Sequence, residues 1–256
     1  MNAMVLTEHI GRVLVATLSR PPVNAIDDRL IAELDAVLDR AIDDDGVAVL
    51  HLRSDQRAFS AGADLTLMQA CFATADGADA MTDVVRNMQR LYLRLEAAPV
   101  VTLAEIATTA LGGGFELALA CDLRVAAHEA KLGLPEARLG LLPGAGGTQR
   151  LTRLCGPGLA KRLILGAEII DGVQAERLGL VQWAAPTALL PAFAAELAQR
   201  YAAMPKAALA ANKRCIAASM QAGRDGYAEE ICETRTLYGH PETRRKVSDF
   251  LSQRSR

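Results

Sequence analysis

Two glutamates stand where acid–base chemistry could be arranged. In "LGGGFELALACD" (111–122), three consecutive glycines run into a short apolar helix whose first charged side chain is Glu116. Glycine is a poor helix former, so the triplet points to a need for bare backbone. N–H groups stripped of side chains at the positive end of a helix dipole favour an anion. Gly113 N–H, with Ala63 N–H from "AFSAGADL" (58–65), could form a two-donor hole for a developing enolate oxygen. Glu116 then falls in the first helical turn, beside that oxygen, or it is an acid that only complements the dipole. Glu136 follows in "KLGLPEARLGLLPGAGGTQR" (131–150), flanked by Gly133 and Gly140. Alone it is a loop acid. Two glutamates beside one hole would make a general acid and a general base flanking an activated carbonyl.

Other chemistries are poorly served. "AFSAGADL" nearly matches the nucleophile elbow GxSxG, with Ala58 for the first glycine, which makes Ser60 a candidate nucleophile. No distinctive histidine base accompanies it: His9, His51, His128 and His240 stand alone and read as surface or strand positions. The rival reading uses the backbone, since small Ala61, Gly62 and Ala63 let a ligand approach exposed N–H groups. "GAGGTQR" (144–150) misses GxGxxG, and no P-loop is present. Cys71, Cys121, Cys155, Cys215 and Cys232 form no CxxC or zinc-type cluster, so no metal site is expected. They read as reduced thiols of a cytoplasmic protein.

The elements that must position these groups follow from the patterning. The chain has 256 residues, 51% hydrophobic and 23% charged, with net charge −2. That suits one large or two modest globular domains and gives no basic excess for nucleic acid. The apolar run Val13–Leu18 is too short to span a bilayer, and no signal peptide precedes it, so a soluble protein is expected. Two short strands are predicted near 4–8 and 13–18, with Gly11 at the turn. Leu30, Leu34, Val37, Leu38, Ala41 and Ile42 share a helical face behind an Asp27 or Asp28 N-cap. "VAVLHLR" (47–53) and "VVTLA" (100–104) read as strands, and 81–97 as an amphipathic helix through Val84, Val85, Met88, Leu91 and Leu95. Residues 68–80 read as a mobile loop or broken helix. From about Thr148 the pattern reads as almost wholly helical. The alternation before that point implies an α/β core.

Five stretches together resemble the enoyl-CoA hydratase/isomerase, or crotonase, superfamily: "RPPVNAI" (20–26), "AFSAGADL", "ALGGGFELALACDLRVA" (110–126), "GLPEARLGLLPGAGGTQRLTRLCG" (133–156) and "ERLGLV" (176–181). They occur in family order. The resemblance implies an α/β spiral of ββα units over residues 1–190, holding the active site. It also implies a C-terminal helical region, 191–256, that covers the site and forms a homotrimer or hexamer. The implied substrate is an acyl-CoA thioester, with no separate cofactor and no membrane or nucleic-acid partner.

Position by position, Ala63 and Gly113 match the two thioester-oxygen donors, Glu116 the base for water, and Glu136 the acid for Cα. Val23, Asn24 and Ala25 match the segment along the CoA nucleotide, with Ala61 also at the binding site, and Gly144 matches a turn bordering the pocket. Both glutamates are present, which favours reversible syn-hydration of a trans-2-enoyl-CoA over double-bond isomerisation or non-catalytic acyl-CoA binding. Three departures stand out. Thr108-Thr109 replaces a common Gly-Tyr, which requires negative φ there. Thr66 replaces a lysine near the CoA phosphates, and Arg245-Lys246 replaces Glu-Gly. Phe250 matches a late aromatic.

Overall fold

The structure is a computed structural model and describes residues 3–254. The first strands, β1 (Val5–Ile10) and β2 (Val13–Leu18), pair antiparallel around Gly11, whose φ of 62° suits the tight turn. Helix α1 (Asp28–Asp43) starts where Asp27 accepts from the N–H of Leu30 at 2.8 Å. Its buried face is Leu30, Ile31, Leu34, Val37, Leu38 and Ala41, with Ile42 partly buried. Strand β3 (Val49–Ser54) follows.

The 68–80 stretch is a broken helix: α2 (Leu65–Phe72) ends before α3 (Gly77–Ala97) begins. Asp64 caps α2 through the N–H groups of Thr66 and Leu67. On α3, Val84, Met88, Leu91, Tyr92 and Leu95 are buried.

Next come β4 (Val101–Ile106), β5 (Thr109–Leu111), α4 (Gly113–Ala120), β6 (Leu123–Ala127) and β7 (Lys131–Gly133). A 3₁₀ turn at Pro135–Leu139 leads to α5 (Gly147–Leu165), β8 (Ile169–Asp171), α6 (Gly172–Arg177) and β9 (Trp183–Ala185). The chain ends in α7 (Leu190–Ala202), α8 (Lys206–Ala218), α9 (Gly226–Gly239) and α10 (Pro241–Arg254). The region after Thr148 is mostly helical, as its pattern implies, and is interrupted by the strands β8 and β9. Its two strands are three residues each, too short to print a period of two.

Strands assemble as one sheet in the order β1-β2-β3-β4-β6-β9, parallel from β2 onward, and a second sheet β5-β7-β8. Units such as β4-β5-α4 and β6-β7-α5 each add a strand to both sheets, which makes this the expected α/β spiral of the crotonase type. Parallel strands covered on both faces should be apolar throughout. Every residue of β4 is buried, and the one charged member, Glu105, pairs with His51 of β3 at 2.9 Å. Helix α7 packs on the long sheet through Leu190, Ala194, Leu197, Ala198 and Ala202. Helix α8 is tied down by Lys213, whose Nζ donates to Asp122 at 2.7 Å and to the carbonyl of Val100 at 2.9 Å. Neither α9 nor α10 has a buried residue.

Candidate active site

The glycine triplet has a packing reason at each position. Gly112 has φ 52°, and a Cβ there would lie 2.9 Å from Glu136 Oε1. Gly113 lies beneath Met88, whose terminal methyl would be 2.5 Å from an added Cβ. Gly114 presses on strand-like backbone, so a Cβ would meet the carbonyl of Ser60 at 2.3 Å. Thus α4 begins with its backbone against the 58–64 segment, a contact that no side chain could share. All eight α4 residues are buried.

Asn24 is the tie that shapes this segment. Fully buried at φ 49°, it sends its amide nitrogen toward the carbonyls of Ala58 and Phe59, at 3.1 and 3.0 Å, and Ser54 Oγ at 2.8 Å. Its own carbonyl accepts from Ser60 Oγ at 2.7 Å. Short parallel bridges join Ile26 to Ala63 and Ser60 to Ala110. Ala63 is thereby carried beside Gly113. Among the described residues, neither the N–H of Ala63 nor that of Gly113 donates to a protein acceptor. Two adjacent N–H groups without acceptors are an anion or carbonyl-oxygen site.

Both glutamates face the same space. Glu116 is 2% exposed, and its Oε1 accepts from the N–H of Gly147 at 2.7 Å. Burial pushes its pKa from the ordinary 4.5 to about 7, with the charge of Glu136 adding to the rise. The N–H groups of Gly147 and Ala145 and the cation of Arg150 oppose it. Because the folded state holds this proton to higher pH, stability falls as pH rises from about 4.5 through 7. The loss is about 3 kcal/mol at 1.36 kcal/mol per pKa unit, which is a burden of the kind expected at a reactive centre. Glu136, on the 3₁₀ turn, also has a raised pKa through burial, and its Oε2 is buried without a partner.

These groups line a cavity of about 310 Å³ that also includes Ala61, Ala63, Gly113 and Gly144. Val23 and Ala25 lie outside that lining. Val23 stands next to it, its carbonyl accepting from the N–H of Ala61 at 3.0 Å, while the carbonyl of Ala25 accepts from Arg20.

Two positions that the motifs did not single out brace the site. Tyr92 Oη donates to the carbonyl of Gly113 at 2.9 Å, deep under α4. It follows Met88 by one helical turn on the same buried stripe, a signal available in the periodicity. Arg150 runs beneath the 144–147 turn that holds Glu116. Its guanidinium donates to the carbonyl of Ala145 at 2.9 Å and to Glu96 at 2.7 Å, and it lies 6.0 Å from the Tyr92 ring centroid. Gly146, at φ 107°, leaves room for it.

The remaining expectations can be placed. Thr108 and Thr109 have no positive φ, as β-branched residues require. Thr66 is exposed on α2, as are Arg245 and Lys246 on α10, and Phe250 stacks under Arg254 at 5.0 Å. Among the described residues no cluster of three or more His, Cys, Asp or Glu could hold a metal ion, and no helix is long and apolar enough to cross a membrane.

Ser60 is fully buried, donating to Asn24 and accepting from the N–H of Gly62 at 3.2 Å. A hydroxyl so engaged is not free to attack a substrate. Ser60→Ala should lower stability by about 1–2 kcal/mol, the loss of one buried hydrogen bond, and leave kcat within a few-fold. Thermal melts beside steady-state kinetics check this, and a trapped acyl-enzyme in the unmodified protein would contradict it.

A protein family described as enoyl-CoA hydratase/isomerase matches residues 8–249. The 2,3-dehydroadipyl-CoA hydratase of Escherichia coli (strain K12) is 37% identical over 246 residues, covering 95% of this chain and 94% of that protein. The short-chain-enoyl-CoA hydratase of Clostridium acetobutylicum is 36% identical over 223 residues, covering 86% and 84% of the two chains. A crystal structure of enoyl-CoA hydratase from Bacillus anthracis superposes with a TM-score of 0.91 at 30% identity, covering 98% of this chain and 97% of that one.

Proposed function

The chain belongs to the enoyl-CoA hydratase/isomerase family, and we propose that it hydrates trans-2-enoyl-CoA reversibly to 3-hydroxyacyl-CoA during acyl-CoA degradation. The thioester oxygen accepts from Ala63 and Gly113, so charge leaving the double bond collects there as an enolate. The Glu116 carboxylate takes a proton from the water whose oxygen bonds to Cβ. Glu136, whose pKa burial raises, gives a proton to Cα. The C–O bond at Cβ and the C–H bond at Cα form on one face of the alkene as an O–H bond of water breaks, and the two glutamates exchange charge. CoA arrives with the substrate, and this chemistry asks for no other cofactor.

One observation carries the reading: a buried and a half-buried glutamate share one cavity with two N–H groups that lack acceptors among the described residues. Incubation with crotonyl-CoA, following loss of the conjugated thioester absorbance, tests it. Conversion of a 3-enoyl-CoA with no hydration would identify an isomerase, and binding without either reaction a non-catalytic acyl-CoA protein.

The pKa of Glu116 sets the acid limb of the pH profile. Below about 7 the base is protonated, so kcat/KM should fall nearly tenfold per unit of pH. A profile flat from about pH 5 to 7 removes Glu116 from the role of base.

The proposal includes self-association as a homotrimer or hexamer in the cytoplasm. Its support is apolar surface on the last helices: Ile216, Tyr227, Ile231 and Tyr238 are 69, 84, 72 and 76% exposed. Sedimentation should give three or six times the 27.2 kDa protomer mass. A stable, active monomer contradicts it.

A further inference from the structure

The lining of the acyl cavity carries information about the tail of the substrate. Its walls are apolar: Leu65, Met68, Met81, Val85, Leu139 and Leu142 are among them, and its only ionisable members among the described residues are Glu116 and Glu136. Among the described residues no lysine, arginine or histidine lines it. Four arginines of the surrounding elements are engaged with other groups. On α3, Arg86 pairs with Asp83 at 2.5 Å and Arg90 with Asp35 at 2.6 Å. Arg138, on the 3₁₀ turn, donates to the carbonyl of Ala167 at 2.6 Å. Arg150 of α5 is held by the carbonyl of Ala145 and by Glu96.

A carboxylate entering this space gives up its water, meets no cation among the lining residues and adds a negative charge beside the Glu116 carboxylate. Burying an unpaired charge is among the most unfavourable changes a site can impose. An alkyl tail meets the opposite situation, because each methylene leaves water for an apolar wall. Met68, Met81 and Met88 are flexible thioether chains that can repack around tails of different shape.

Resting on the hydratase reading above, we propose that this protein takes enoyl thioesters with an uncharged alkyl tail and excludes those ending in a carboxylate. This sets it apart from the relative whose name specifies 2,3-dehydroadipyl-CoA, despite 37% identity over 95% of the chain. Overall likeness reports the shared catalytic framework, whereas tail selection depends on a few side chains of the cavity wall.

The test compares trans-2-hexenoyl-CoA with 2,3-dehydroadipyl-CoA, which share a six-carbon acyl skeleton and differ in the terminal carboxylate. The expected kcat/KM ratio is at least 100-fold in favour of hexenoyl-CoA. Rates within tenfold of each other overturn the proposal. Met81→Lys, which adds a cation to the wall, should narrow the ratio at least tenfold, and an unchanged ratio overturns the charge argument.

Calorimetry with hexanoyl-CoA and adipyl-CoA, which cannot be hydrated, separates this proposal from the hydratase reading. Tighter binding of hexanoyl-CoA without hydration of either enoyl thioester sustains the tail preference while the hydratase reading fails. Equal affinities overturn the tail preference whatever the catalytic result.

Discussion

Glu116→Gln is expected to cut hydration by at least ~10²-fold, the lower range for loss of a general base. The amide keeps the carbonyl oxygen that accepts from Gly147 at 2.7 Å, so the fold should survive with its binding surface intact. Glu136 still faces the cavity in that variant and can exchange the α-proton of a bound acyl-CoA while Ala63 and Gly113 hold the thioester. Glu136→Gln should impair both hydration and α-exchange, because the same acid serves Cα in each. Both variants should bind CoA thioesters. Deuterium incorporation from heavy water, measured beside hydration kinetics, separates the two roles. Normal hydration by Glu116→Gln makes that acid a dipole-stabilising bystander and turns the assignment toward an isomerase. The same variant should gain stability relative to the unmodified protein above pH 7, since it lacks the buried carboxylate whose pKa is pushed up to about 7.

Gly62→Ala is expected to produce the second large effect, through the backbone. Gly62 has φ 96°, and a Cβ there would lie 2.9 Å from the carbonyl of Leu111 and 3.2 Å from the nitrogen of Gly113. The methyl therefore presses on one proposed oxyanion donor and displaces the segment carrying the other. Losing one such donor lowers kcat by about 10²–10³-fold, and the strained φ adds about 1–3 kcal/mol of destabilisation. Gly179→Ala is the control: its φ is 73°, but a Cβ there meets nothing within 4 Å. It should lose stability alone. If the two variants lose activity equally, strain rather than crowding of the donor explains the loss.

Much of this protein was legible along the chain because the signals are local. The stripe Leu30 to Ala41 is a period of 3.6, Asp27 is a cap three residues from its partner, and "LGGGFE" announces backbone in close contact. Each is decided within a turn or two of helix, where sequence separation and spatial separation nearly coincide. The family motifs belong to the same class, being short segments whose own backbone geometry constrains their residues. The order of α/β units followed from the alternation of such segments.

What the tertiary structure decided lies between segments. Ala63 and Gly113 are fifty positions apart in "AFSAGADL" and "LGGGFELALACD". Their N–H groups become neighbours only because Ser60 bridges Ala110 and Gly114 tolerates the Ser60 carbonyl against its Cα. The same contact buries the Ser60 hydroxyl, which the elbow-like motif alone left open as a nucleophile. Glu116 is fixed by a turn thirty-one residues away, and that turn by Arg150, whose own spacing announces nothing. Strands β8 and β9, three residues each, exist because a neighbouring edge offers hydrogen bonds, whereas their own pattern is too short to specify them. Periodicity records which face of an element is apolar. Which faces meet, and so which N–H groups are left without acceptors and which carboxylates lose their water, is settled only when distant segments pack.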